Sequence, residues 1–264
     1  MKIAPGRSRA GPMTRIPPLV MFDLDGTLAE SKQPLTSEMA RNVAALLART
    51  KVAVVSGGAL PQYLAQVVAR LPADANLENL YILPTSGAAL HEWRDGQWRK
   101  VYEERISEND AGKIQAAMED GARASGVVDM AAPTRGPRIE YRGGQVTFSA
   151  LGQKAPPAEK KAWDPDHAKR RALQAAIAAR LPAGFTAAMG GSTTIDVLRA
   201  GVDKAYGIRR LAERLGIPES DALYIGDELV PAGNDEAVFR TNAQVRAVSS
   251  PQDTARAIVS LLSS

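Results

Sequence analysis

Asp23 and Asp25 stand two residues apart, after the apolar stretch Pro18-Leu19-Val20-Met21-Phe22 and before Gly26-Thr27-Leu28. An apolar run that gives way to a glycine-containing loop reads as a short buried strand and its end. Side chains two apart on a strand face the same way, so both carboxylates can share one small site. Their repulsion is relieved by a cation, and Mg²⁺, which prefers carboxylate oxygens, is the natural one. An ionised Asp in such a place can attack phosphorus and form an aspartyl-phosphate. A second carboxyl can exchange a proton with the leaving or attacking oxygen. The competing reading of two acids and a glycine is a solvated turn.

Further residues supply what that chemistry needs. Ser56 follows the β-branched run Lys51–Val55 and precedes Gly57-Gly58. A hydroxyl beside loose backbone N–H groups, Gly57 among them, can hold a phosphoryl oxygen. Lys204 opens an expected helix after Gly201-Val202-Asp203. There it can neutralise an anion and orient the nucleophile, with the helix N-terminus adding positive potential. Tyr224-Ile225-Gly226-Asp227 again sets an acid directly after a buried strand, and Asn234-Asp235 follow in a Gly/Pro loop. Asp227 would complete a carboxylate cage around Mg²⁺, with Asp235 orienting it from behind.

These residues must be held by alternating strands and helices. The periodicity predicts a helix over Ser37–Thr50 capped by Thr36 or Ser37, a strand over Lys51–Val55, a helix over Leu60–Leu71 and a strand over Leu80–Leu83. The pattern then turns antiparallel. Ala89–Arg105 reads as a hairpin around Asp95-Gly96, Ser107–Ser125 as a capped helix and Arg138–Ala150 as a half-buried hairpin. Gln153–Glu159 reads as a polar loop, Pro165–Leu181 as a helix capped by Asp164, and Thr193–Leu198 as a strand. From Gly201 the α/β rhythm returns, ending in a helix over Pro251–Leu262. The fold class expected is α/β: a Rossmann-like core with a parallel sheet (18–88 and 199–264) and an inserted α+β cap (89–198). Residues 1–17 are basic and rich in Pro and Gly, and read as a flexible tail rather than a signal peptide.

Composition narrows the classes. The chain has 264 residues, 45% of them hydrophobic, which supports a sizeable core. With no cysteine, thiolate metal sites and a cysteine nucleophile are excluded. Only His91 and His167 are present, which argues against a multi-histidine metal centre and puts both on surfaces or loops. A net charge of +4 suits an anionic substrate but is a poor argument for nucleic acid, and aromatics at 5% give no stacking platform. No apolar run is long enough to span a membrane, and a cytoplasmic location is the default.

The order Asp23-Leu24-Asp25-Gly26-Thr27, Ser56-Gly57, Lys204, Gly226-Asp227 and Asn234-Asp235 resembles the four motifs of the haloacid dehalogenase (HAD) superfamily of phosphotransferases. The resemblance implies Asp23 as nucleophile and Asp25 as general acid/base. It also implies Mg²⁺ held by the Asp23 side chain and the Asp25 carbonyl. The late insertion is similar to the HAD-IIB class with a large α+β cap. Within that class, several segments resemble the eukaryotic-type phosphomannomutases: Arg135-Gly136, Ile139–Gly144, Ser149–Gly152, Gly190–Val197, Val202–Lys204 and Gly226–Asp235. That resemblance makes Arg135 and Arg142 phosphate contacts, Thr194 and Asp196 contacts to sugar hydroxyls or phosphate, and the chain a homodimer through its cap. Two departures stand out. Gln153 follows Gly152 where the family usually has Arg, and Ser86 stands where many relatives carry Asn.

The function expected is Mg²⁺-dependent phosphoryl transfer on phosphorylated hexoses, phosphomannomutase-like. The alternatives are a sugar-phosphate phosphatase with water as acceptor and a non-catalytic sugar-phosphate sensor. The phosphorylated sugar is the expected partner, with no nucleic acid and no membrane.

Overall fold

The computed structural model describes residues 15–231 and 233–264. Of the expected tail, residues 1–14 lie outside the described residues. Ile16 packs against the core, and the Pro17 carbonyl accepts the Thr50 hydroxyl at 2.6 Å. The chain divides into two compact units, one reaching to Tyr102 and resuming over Asp203–Ser264, the other Glu103–Val202.

In the first unit β1 (Leu19–Phe22) leads through α1 (Ser37–Leu47) to β2 (Lys51–Val55), and through α2 (Leu60–Gln66) to β3 (Leu80–Leu83). The Thr36 hydroxyl accepts from the Met39 amide, as the sequence suggested. A turn at Thr85-Ser86, both at positive φ, reverses the chain into β4 (Ala89–Arg94) and β5 (Gln97–Glu103). After the second unit come α6 (Lys204–Leu215), β10 (Ala222–Gly226), β11 (Gln244–Ala247) and α7 (Pro251–Leu262). Among the described residues the sheet has seven strands, ordered β11-β10-β1-β2-β3-β4-β5. Its first five run parallel, and β4 pairs antiparallel with β3 through Tyr81↔Glu92 and Ile82↔His91. The hairpin that sequence grouped with the cap therefore extends the core sheet. The break between units lies at 102/103 and 202/203 rather than 88/89 and 198/199. The same pairing puts His91 half-buried in a strand, not on a loop.

Strand alternation builds two apolar layers. Val20 and Phe22 face α1 and α7, with Val43, Leu46 and Ile258. Leu19 and Met21 face α6, with Ile208 and Leu211. β1 and β10 are buried at every position, as strands covered on both faces must be. Their ends carry Asp23 and Asp227.

The second unit holds α3 (Glu108–Ser125), β6 (Ile139–Tyr141), β7 (Val146–Ser149), α4 (Pro157–Trp163), α5 (Ala168–Ala178), β8 (Phe185–Met189) and β9 (Thr194–Arg199). Its antiparallel sheet is ordered β6-β7-β9-β8. Three elements differ from expectation. Pro157 starts a helix inside the segment read as a loop, its fixed φ suiting the first turn. The helix read from Pro165 begins only at Ala168. β8 has no sequence counterpart, since Phe-Thr-Ala-Ala-Met gives weak alternation. No helix among the described residues is long and apolar enough to cross a membrane.

Candidate active site

Asp23 is fully buried at the C-terminal end of β1, its amide bonded to the Ile225 carbonyl of β10. Lys204, at the start of α6 and 3% exposed, reaches the same point. Its ammonium donates to Asp23 Oδ1 at 2.6 Å, to Asp235 Oδ1 at 2.6 Å and to Asn234 Oδ1 at 3.3 Å. Asp203 caps α6 by accepting from the Tyr206 amide, which fixes where Lys204 emerges. Burial pushes the Asp23 carboxyl upward and Asp235 and Asp227 add to the push, while Lys204 opposes it. Burial alone would lower Lys204, but the pull of Asp23 and Asp235 outweighs it and keeps the ammonium charged. Asp227 accepts from the Thr27 hydroxyl at 2.8 Å, and burial, then Asp235, pushes its carboxyl up to about 6. Gly26, at positive φ, gives Asp227 its room, because a Cβ there would overlap the carboxylate.

This cluster bears on Mg²⁺. Three carboxylates, Asp23, Asp227 and Asp235, stand against one ammonium. Among the described residues, Asp23 Oδ2 is buried with no hydrogen-bond partner. Among the described residues no three carboxylate or imidazole groups converge as a ready-made ligand set, and Lys204 occupies one oxygen each of Asp23 and Asp235. The all-oxygen donor set and the orphaned Asp23 Oδ2 nevertheless fit a hard divalent cation. Asp235 stands apart from that set: Oδ1 also accepts the Tyr224 hydroxyl and Oδ2 the Glu228 amide. Both its oxygens are engaged, Oδ1 by the lysine and the phenol and Oδ2 by the Glu228 amide.

The Asp25 carboxylate lies with a different group. Oδ1 accepts the Lys32 amide at 2.8 Å, and Oδ2 meets Gln62 Nε2 at 3.4 Å and Lys32 Nζ at 3.5 Å. Lys32 sits at φ +60, which brings its amide round to the acid. Ser56 is 6% exposed where β2 ends, and its carbonyl accepts from Ser86 N and from the buried Tyr63 hydroxyl at 2.7 Å. Gly57 continues the turn from Ser56. A Cβ at Gly58 would meet the Gln62 carboxamide at 2.5 Å, so Gln62, which reaches Asp25, would have to shift. Thr27, Lys32, Gln62, Tyr63 and Tyr224 are site neighbours that sequence reasoning did not single out. Thr27 and Tyr224 were within motifs already quoted, and the others gave no signal.

In the second unit the register puts Glu140, Thr147 and Asp196 in one row and Ser149 beside Thr194 on the same face. The opposite face carries Ile139, Tyr141, Val146, Phe148, Ile195 and Val197. Arg142 ends that polar face. It donates to Glu140 Oε2 at 2.6 Å and to Gln153 Oε1 at 3.2 Å. Arg135 is 61% exposed and pairs with Glu159 at 3.3 Å. Its carbonyl accepts from Lys154, next to Gln153, so the Arg135 loop and the Arg142–Gln153 pair lie together. Gly152 at φ +83 permits that approach, since a Cβ would sit 2.6 Å from the Arg135 carbonyl oxygen. Arg138 spends its guanidinium on the Ala150, Asp129 and Ala132 carbonyls. The turn at Gly190 packs directly on Thr194 and Asp196.

Comparison with known proteins gives a consistent picture. The profile described as eukaryotic phosphomannomutase matches residues 39–264, beginning after the Asp23–Thr27 run. The phosphomannomutase of Saccharomyces cerevisiae is 25% identical over 248 residues, covering 92% of this chain and 93% of that protein. That of Triticum aestivum is 27% identical over 242 residues, covering 89% and 92%. Among solved structures, a haloacid dehalogenase-like hydrolase from Bacteroides thetaiotaomicron superposes with TM-score 0.60 at 17% identity, covering 91% of this chain and 98% of that one. An N-terminally truncated Plasmodium falciparum IMP-nucleotidase gives 0.67 at 19%, covering 92% and 69%. At such identities these two show the fold alone. The profile match over residues 39–264 makes this chain a member of the eukaryotic phosphomannomutase family, an enzyme of the HAD phosphotransferase type.

Proposed function

We propose that this enzyme transfers the phosphoryl group of a phosphorylated hexose through Asp23 in a Mg²⁺-dependent, phosphomannomutase-like reaction. The observation that carries the reading is the buried contact of Lys204 Nζ with Asp23 Oδ1 at 2.6 Å, with Oδ2 left without a hydrogen-bond partner among the described residues. Asp23 attacks phosphorus, an Asp–phosphate bond forms and the phosphorus–sugar oxygen bond breaks. Asp25 gives its proton to the leaving sugar oxygen. In the second half, a hexose hydroxyl passes its proton to Asp25 and takes the phosphoryl group, regenerating Asp23. Lys204 and the Ser56-Gly57 turn hold the phosphoryl oxygens. Mg²⁺, held by Asp23, the Asp25 carbonyl and Asp227, would offset charge on the transferring group. Thr194 and Asp196 contact the sugar, and Arg135 and Arg142 a distal phosphate. A homodimer through the second unit belongs to the same reading, by family analogy alone.

One observation favours a second reading, sugar-phosphate hydrolysis with water as acceptor. Arg142 already faces Glu140, Arg135 faces Glu159, and a neutral amide stands at Gln153. A mutase must hold two phosphates on one sugar, and these pairs must open to receive the second. The test gives purified enzyme mannose 1-phosphate, with and without a hexose 1,6-bisphosphate, and follows isomerised product and free phosphate. Isomer formation supports the mutase. Phosphate release without isomer overturns it in favour of hydrolysis.

A further inference from the structure

We propose that Tyr224 is a positioning residue for phosphoryl transfer, its buried hydroxyl fixing the Asp235 oxygen on which Lys204 rests. The proposal builds on the reading of Asp23 and Lys204 as the transfer site.

Tyr224 is fully buried on β10, paired in register with Met21, two residues before Asp23. Its hydroxyl donates to Asp235 Oδ1 at 2.6 Å. The same oxygen accepts from Lys204 at 2.6 Å, and Lys204 Nζ lies 3.4 Å from the phenol oxygen. The other Asp235 oxygen takes the Glu228 amide at 3.2 Å and lies over Gly226, where a Cβ would overlap it. The Asp235 carboxylate is therefore held on both sides. An ammonium has three donors. Those of Lys204 are matched by Asp23, Asp235 and Asn234.

Deleting the phenol oxygen leaves Asp235 Oδ1, among the described residues, with the lysine as its one remaining donor. A buried carboxylate that loses a donor attracts the next cation more strongly. Lys204 is then drawn toward Asp235 and away from Asp23. Tyr224→Phe removes no proposed substrate contact, so the loss falls on kcat and not on KM. The bond also gives the cluster a polar anchor inside the sheet: Phe at 224 fills the same apolar volume but cannot donate.

The test compares Tyr224→Phe with Tyr81→Phe. Tyr81 is equally buried in the same sheet, but its hydroxyl lies by Arg94. Tyr224→Phe is expected to lower kcat about 10- to 100-fold with KM within about twofold, while Tyr81→Phe keeps parent kinetics. In a crystal structure of Tyr224→Phe, Lys204 Nζ is expected to leave Asp23 Oδ1 for a separation of about 3.5 Å or more. In an Asp235→Asn background, which removes the buried charge and so tolerates the deletion in folding, Tyr224→Phe should cost nothing further. Parent kinetics in Tyr224→Phe, or Lys204 still 2.6 Å from Asp23, overturns the proposal. If the parent turns over no sugar phosphate, the functional reading fails, and the Lys204 position in the crystal still decides the role of Tyr224.

Discussion

Acid should unfold the second unit through one ion pair. Asp164 and Arg170 have side-chain exposures of 0% and 6%, with Arg170 Nε 2.8 Å from Asp164 Oδ2. Asp164 Oδ1 also accepts the Lys169 amide at 2.8 Å, and Oδ2 the Arg170 amide at 3.1 Å, tying off the start of α5. The free arm of Arg170 reaches the Gly191 carbonyl at 2.8 Å and the Gly190 carbonyl at 3.3 Å. Burial pushes the Asp164 carboxyl up, but the bonds from Arg170 and the two amides outweigh it and hold it below the usual range. A depressed folded-state pKa means the stabilisation is complete above the unfolded value of about 4 and is lost as pH falls through the folded value. Removing one partner of a buried pair strands the other charge, at about 3–5 kcal/mol. Asp164→Ala should therefore lower the melting temperature at pH 7 by about 6–20 °C, taking about 2–4 °C per kcal/mol for a chain of this size. Urea unfolding of parent and Asp164→Asn between pH 2.5 and 7 checks the cause, the range chosen to span the carboxylate value of about 4. The parent should lose its advantage over the variant as pH drops below about 4. An advantage that does not change with pH would refute the argument.

Other expectations follow from the same geometry. Two glycines in α3 should respond with opposite signs. Gly112→Ala meets nothing within 4 Å and should stabilise by about 0.5–1 kcal/mol, whereas Gly121→Ala would put a Cβ 2.7 Å from the Ile177 Cα and should destabilise by about 1–2 kcal/mol, both read by thermal melts. Lys204→Met should cut kcat by about 10³-fold. With no ammonium to offset burial, the raised Asp23 pKa makes that variant gain stability relative to the parent as pH is lowered from neutrality, which urea titrations would show. Gln153→Arg adds a cation beside Arg142 and should tighten hexose bisphosphate binding in calorimetry by about tenfold, with hexose monophosphate less affected.

Much of the site was legible because its acids sit where buried strands end. Leu19–Phe22 and Ala222–Gly226 are apolar at nearly every position, so Asp23 and Asp227 announce themselves as the first charges after each run. What sequence did not reveal were partners set by tertiary approach. Tyr224 looked like one more apolar residue of its strand, and its hydroxyl gains meaning only because Asp235 folds back over Gly226. Lys32 meets Asp25 through a left-handed backbone turn that no glycine marked. Arg142 stood out as a cation two residues from Glu140, but its contact with Gln153 depends on how the chain folds back after β7. The hairpin Ala89–Glu103 was grouped with the cap because its pattern changes to antiparallel. Such a change says nothing about which sheet edge the hairpin joins, and β3 offered the open one.

The most direct test of phosphoryl transfer through Asp23 is to quench the enzyme during turnover of a ³²P-labelled hexose phosphate and map the label by peptide mass spectrometry. An acid-stable, base-labile phosphate on the peptide containing Asp23 is expected, absent in a folded Asp23→Asn variant that also loses turnover. Label on another residue, or turnover that survives in Asp23→Asn, would contradict the assignment of Asp23 as the nucleophile.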